Sequence, residues 1–174
     1  TTAPAAHAMS VAQPSATDAA ARVRIAGLAL CLLLVAHGSL FPWLFAIPAS
    51  WPVALRQMFV ERLWWTGLGD AIGNVLLFMP VGVFGMLLDD GSMRTSAARG
   101  ARVLWGSSTF AFVLQVAQLW LPERTAALSD VLWNVVGTAL GMLLAPTLRP
   151  WVDRFARSHL LTHHVALTMA ALWL

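Results

Sequence analysis

The 174-residue chain has no lysine, one cysteine and few charges of either sign, with only 11% of its residues charged. Soluble domains carry about 25% charged residues. The deficit therefore excludes an ordinary water-soluble enzyme, and it excludes intrinsic disorder, which requires polarity and charge. Cys31 stands alone in an apolar run, so one chain can build neither a disulfide framework nor a thiolate metal site. A net charge of +3 and a pI near 11.0 would suit nucleic acid only if the basic residues shared one solvated face. The eleven arginines are instead thinly spread between apolar runs. His-Glu-x-x-His, Gly-rich phosphate-loop and Gly-x-Ser-x-Gly patterns are missing too, and no cofactor or metal site is implied.

What the chain does have is apolar length: 59% hydrophobic residues, nine tryptophans and a mean hydropathy of +0.71. About 20 apolar residues cross a hydrocarbon layer of roughly 30 Å. Four stretches qualify, near 25–47, 70–88, 103–121 and 130–148, and a fifth, Leu160 to Leu174, is short or truncated. The reading is an all-α, polytopic transmembrane helical bundle with four full spans plus that fifth. Residues 1–24 read as a flexible tail rich in Ala, Ser, Thr and Pro, and residues 149–174 as a cytoplasmic loop leading into the fifth apolar segment. Thr1 in place of Met, and Met9 as a possible start, leave the native ends open.

Arginine-rich loops stay in the cytoplasm. A cytoplasmic N-terminus puts Arg22, Arg24, Arg94, Arg99, Arg102, Arg149, Arg154 and Arg157 inside and only Arg56, Arg62 and Arg124 outside. The first span also resembles a signal peptide, with Ala36-His37-Gly38 as a small-x-small triplet. Apolar character resumes over Leu40–Ile47 and favours an uncleaved anchor. Trp43, Trp51, Trp64, Trp65, Trp120 and Trp133 fall at the outer boundary, Trp105 and Trp151 at the inner one, as indole rings prefer. From Trp51 to Thr66, Leu55, Met58, Phe59 and Leu63 share a face opposite Arg56, Gln57 and Glu61, an amphipathic helix for the outer leaflet.

The second and fourth spans open alike, Asp70-Ala71-Ile72-Gly73-Asn74-Val75 against Asp130-Val131-Leu132-Trp133-Asn134-Val135. Each sets a carboxylate in the first turn and an amide one turn deeper on the same face. Helix capping explains either Asp alone. An amide inside a spanning helix needs a partner in the bundle or a wet cavity, and a structural interhelical hydrogen bond would serve. Gln115 and Gln118 adjoin near the outer end of the third span, and Arg124 follows. All seven groups map to one depth and can converge on an outer pocket.

Gly137-xxx-Gly141 on the fourth span, and Gly82 and Gly85 on the second, suit close helix packing, while Pro80 should kink the second span. His37 reads as a neutral imidazole bonded to a neighbouring helix. His159, His163 and His164 read as interface residues, and Asp89, Asp90, Arg94, Arg99 and Arg102 as a mixed-charge inner loop.

Ser39-Leu40-Phe41-Pro42, Asp70-xxx-Asn74-xxx-Phe78-x-Pro80-x-Gly82, Gln118, Arg124 and Asp130-xxx-Asn134-xx-Gly137-xxx-Gly141 together resemble the VanZ-like family of bacterial membrane proteins across about residues 25–148. The resemblance implies a small multi-pass protein of the bacterial cytoplasmic membrane and cell envelope, in a family named for a member associated with teicoplanin resistance. Gln115 stands where many members have Glu, and Ala127 where an acid is common. Fewer carboxylates weaken an acid–base mechanism and leave hydrogen bonding intact.

The leading expectation is recognition of a lipid headgroup or envelope glycan by Asp70, Asn74, Gln115, Gln118, Arg124, Asp130 and Asn134, with membrane lipids or a lipid-linked envelope precursor as partner and no nucleic acid. The alternative is an intramembrane enzyme using Asp70 or Asp130 as general base and Arg124 to stabilise negative charge. A structural or assembly protein comes third and a transporter fourth. Oligomeric state is open.

Overall fold

The computed structural model describes residues 16–61, 67–88 and 96–157. Among them the chain is all-α: α1 (Ala16–Leu40), α2 (Trp51–Arg56) running into a π-helical turn (Gln57–Glu61), α3 (Leu68–Leu87), α4 (Ser96–Gln118) and α5 (Leu128–Arg157). The expected fifth segment, together with Arg62, Leu63, Trp64, Trp65, Asp89, Asp90, Arg94, His159, His163 and His164, lies outside the described residues.

Among the described residues three helices are long and apolar enough to cross a membrane, over Ala20–Leu40, Leu68–Leu87 and Leu128–Phe155, where four such spans were expected. The expected third span lies in α4. Its 23 residues reach about 34 Å at 1.5 Å per residue, so length is sufficient. Apolarity is not, because α4 carries Arg99, Arg102, Ser107, Ser108, Thr109, Gln115 and Gln118. Ser107, Gln115 and Gln118 are buried, so part of this polarity faces protein.

Boundaries shift as well. Helix α1 begins at Ala16, inside the stretch read as tail, and ends at Leu40 rather than near 47. Pro42 lacks an N–H and disfavours helix at the residue before it. Helix α5 continues through Pro146 and Pro150 to Arg157, so helix occupies the first part of the expected 149–174 loop. Pro146 and Pro150 are exposed, and α3 likewise runs on through its exposed Pro80.

Helices α3 and α5 are parallel and in register. A Cβ at Gly137 would meet the backbone of Val75, one at Gly141 that of Met79, and one at Gly82 that of Thr138 and Met142. Glycine at these three positions lets two backbones touch. Helices α1 and α4 run the other way: Gly27 lies against Phe84, Arg24 donates to the Leu87 carbonyl, and Gly100 lies against Met142.

Val35, Phe78, Val81, Ala111, Leu114 and Val131 from all four long helices form the main core, and Val83, Leu87 and Ala145 a second one toward the Arg24 end. Large apolar side chains such as Leu76, Val113 and Leu143, the last 75% exposed, face outward. Water penalises so extensive an apolar exterior, and acyl chains do not.

Candidate functional site: a polar cavity at the Asp70 and Asp130 end

The parallel register of α3 and α5 sets their matching starts side by side. Asp70 and Asp130 are each the third residue of their helix, and Asn74 and Asn134 lie one turn deeper. Neither Asp is an N-cap: Gly67 caps α3, and it makes no side-chain cap bond. A cavity of about 250 Å³ opens at this end. It is lined by all seven residues singled out from the sequence: Asp70, Asn74, Gln115, Gln118, Arg124, Asp130 and Asn134. Gly69 and Gly73, spaced one turn apart on α3, also line it, and a Cβ at either would meet nothing within 4 Å. Their spacing is the same as that of the packed pair Gly137 and Gly141, so the sequence carried no signal that this helix face is open.

The seven differ in how far the protein already occupies them. Buried Gln115 accepts from the Ala127 N–H at 2.8 Å and donates from Nε2 to Asp130 Oδ2 at 3.4 Å. Buried Gln118 donates to the Ser39 carbonyl at 2.9 Å. Arg124, exposed, donates from Nε to Phe41 O and from Nη2 to Gly38 O, each at 3.0 Å.

Gln118 and Arg124 therefore satisfy carbonyls that a helix C-terminus leaves without intrahelical partners, and the guanidinium sits at the negative end of the α1 dipole. Sequence reasoning assigned Arg124 to an anion and missed this anchoring role, because a backbone acceptor carries no residue-type signature. The tie continues through Ala46 N–H to Trp120 O at 2.7 Å and the edge-to-face contact of Trp51 with Trp120.

Three of the seven, Asp70, Asn74 and Asn134, have no side-chain hydrogen-bond partner among the described residues, and Asn74 is half-buried. Asp70 is exposed and has no hydrogen-bond partner among the described residues. Asn134 is 4% exposed, and its Oδ1 is buried without a hydrogen-bond partner. Buried amide oxygens are nearly always paired, so this orphan is unusual, and it belongs to a residue that lines the cavity. His37 lies apart from the cavity. Its Nδ1 accepts from Trp43 Nε1 at 3.4 Å, a partner six residues along the chain rather than on a neighbouring helix as expected.

Residues 17–149 match the family model described as VanZ/LLP1. No curated protein and no solved structure matches the chain. The matched stretch is most of the chain and holds every residue of the cavity, and its helices include three of membrane-spanning length and apolarity: the chain belongs to the VanZ-like family and is a multi-pass protein of a bacterial membrane.

Proposed function

We propose that the cavity recognises a hydroxyl-bearing lipid headgroup or envelope glycan at the outer face of the membrane. The observation that carries this reading is the pairing, on one cavity, of Asn134, whose buried Oδ1 has no hydrogen-bond partner, with Asp70, whose carboxylate has none among the described residues. Both are acceptors, so the fitting ligand supplies donors, as sugar or polyol hydroxyls do. Two of the three Arg124 nitrogens are engaged by carbonyls, which favours hydroxyl recognition over dominant phosphate capture. An outer location is supported by Arg22, Arg24, Arg99, Arg102, Arg149 and Arg154, all carried by the opposite ends of their helices. Through an envelope glycan the site would connect the chain to teicoplanin-type glycopeptide resistance.

Native mass spectrometry of the purified protein tests the reading with two probes, a polyprenyl-linked disaccharide and diglucosyl diacylglycerol. Retention of only the first identifies an envelope glycan; retention of both identifies the sugar headgroup itself. Either must be lost in Asn134→Leu and in Gly73→Leu, whose side chain enters the cavity. Failure to retain either probe, or retention unchanged in both variants, overturns the proposal.

A second reading is favoured by the two carboxylates on one cavity: an enzyme acting on a lipid-linked substrate, with unpartnered Asp70 as general base and Arg124 stabilising developing charge. Asp70→Asn separates the two. Recognition survives this near-isosteric change at reduced affinity, whereas turnover of the bound probe would disappear.

A further inference from the structure

Helices α1 and α3 touch at one level and part at another. Gly27 is pressed against the Phe84 ring, which a Cβ at residue 27 would overlap. Because the helices are antiparallel, moving from this contact toward the Asp70 end adds residues on α1 and subtracts them on α3. Gly38 lies eleven residues from Gly27, and Gly73 eleven from Phe84. That interval is three helical turns to within about 20°, so Gly38 and Gly73 are level and on the faces that carry the Gly27–Phe84 contact. Yet both are exposed, and a Cβ at either meets no described atom within 4 Å. Both also line the polar cavity. Over about 16 Å the two helices therefore diverge, and the gap between their ends leads into the cavity.

Hydrogen bonds hold the gap open. Gln118 on Ser39 O and Arg124 on Gly38 O and Phe41 O fasten the end of α1 toward the α4–α5 connection, and among the described residues none ties it to α3. Seven residues from the Gly27–Phe84 contact, on the same faces, Leu34 and Leu77 flank the narrow end of the gap, 44% and 37% exposed. The α3 span starts at Leu68. Gly73 is about 8 Å and Leu77 about 14 Å inside that start, and half of a hydrocarbon layer is about 15 Å, so the gap opens beside acyl chains. Toward the Arg24 end lies a different opening, an apolar groove of about 610 Å³ walled by Leu28, Val81 and Val103. Buried Val35, Phe78 and Ala111 stand between the two, so that groove gives the cavity no entrance.

We infer that the ligand of the polar cavity is a membrane lipid, whose hydroxylated headgroup enters sideways from the outer leaflet between Gly38 and Gly73 while its hydrocarbon chain stays outside between Leu34 and Leu77. The inference rests on the recognition proposed above and narrows it. A soluble glycan gains nothing from an entrance at hydrocarbon depth. A lipid does, because every CH₂ lifted into water is costly and the sideways route keeps the chain in the bilayer. Glycine on both edges leaves room for a sugar-sized group against each backbone.

The test places the photo-cross-linker p-benzoylphenylalanine at Leu34, which flanks the gap without lining the cavity, in full-length protein. Phosphatidylcholine nanodiscs are doped with diglucosyl diacylglycerol or, separately, with the polyprenyl-linked disaccharide, and mass spectrometry reads what is captured. The same cross-linker at Leu143, 75% exposed on α5, samples bulk lipid. A doped lipid is expected to be captured through its chain at Leu34 roughly tenfold over its capture at Leu143, the equivalent of one decade in affinity. Asn134→Leu should bring capture at Leu34 down to the Leu143 level. Equal capture at the two positions while native mass spectrometry still shows the doped lipid retained overturns the inference and leaves recognition standing, with entry from the water face. Loss of retention itself overturns both. Enrichment that persists in Asn134→Leu overturns the inference too, because the lipid would then lie in the gap without its headgroup in the cavity, and so does a cross-link from Leu34 to a second copy of the chain.

Discussion

Gly137 of α5 lies against the backbone of Val75 of α3 so closely that a single Cβ at residue 137 would overlap the Val75 carbonyl. Gly141 repeats this one turn on against Met79, and Gly82 answers from α3 against Thr138. The contact keeps Asn74 and Asn134 at one depth, which is the condition for a shared cavity. Gly137→Ala and Gly141→Ala should each lower stability by about 1–3 kcal/mol, the usual cost of overpacking, despite alanine's better helix propensity. Gly106→Ala, where the added methyl meets open space, should hold or gain a few tenths. Thermal unfolding in detergent checks the ranking; equal melting temperatures for Gly137→Ala and Gly106→Ala would refute the close approach.

Gln118 and Arg124 both tie down the end of α1, but burial separates their energetic weight. Gln118→Ala strands the Ser39 carbonyl in a protein interior and should cost about 1–3 kcal/mol. Arg124→Ala removes two hydrogen bonds at an exposed position, where water replaces the donors, so about 1 kcal/mol or less is expected. A larger melting-temperature drop for Arg124→Ala than for Gln118→Ala would contradict this assignment.

Gln115 joins α4 to the start of α5. Its side-chain carbonyl is the acceptor for the fully buried Ala127 N–H, a group that follows the α4–α5 connection and precedes the first turn of α5. Gln115→Leu preserves volume and leaves that N–H unpaired, so a loss of about 1–3 kcal/mol is expected. Amide hydrogen exchange gives a local readout: protection at Ala127 should fall in the variant while the Gly137 contact region stays protected. Unchanged protection at Ala127 would show that another acceptor serves it.

The convergence of seven polar residues was legible because helical period and depth are both arithmetic on sequence position. Asp70 and Asn74, like Asp130 and Asn134, repeat at four residues, and parallel spans carry that spacing into space. The status of α4 was not legible from its apolar stretch, since Ser107, Gln115 and Gln118 lower its hydropathy while pointing at protein rather than lipid. Span ends were not legible in either direction. The apolar run over Leu40–Ile47 masked the stop before Pro42, and the span drawn to 148 ends before α5 does, which runs on through Pro150 to Arg157. Backbone acceptors such as Gly38 O leave no mark in a sequence. The apolar groove was hidden for a related reason, because nothing in the sequence distinguishes residues such as Leu28, Val81 and Val103 that line a gap between helices from residues that fill one.

Asn134 discriminates between a residue that locks the bundle and one that waits for a ligand. An interhelical hydrogen bond would make Asn134→Leu destabilising, by about 0.6 kcal/mol on the average for such bonds in membrane proteins. Here the buried Oδ1 has no partner, and its desolvation is already a cost to the folded state. Leucine fills similar volume and removes that cost, so the ligand-free variant should melt at or above the wild-type temperature. The sign reverses when ligand is present, because a ligand that binds only the folded protein adds RT ln(1 + [L]/Kd) of stability. Diglucosyl diacylglycerol, or the polyprenyl-linked disaccharide, should therefore raise the melting temperature of wild type and leave Asn134→Leu where it was. Melting curves with and without each probe decide it: a variant less stable than wild type in the ligand-free state would assign Asn134 to the bundle and leave the cavity without its anchor.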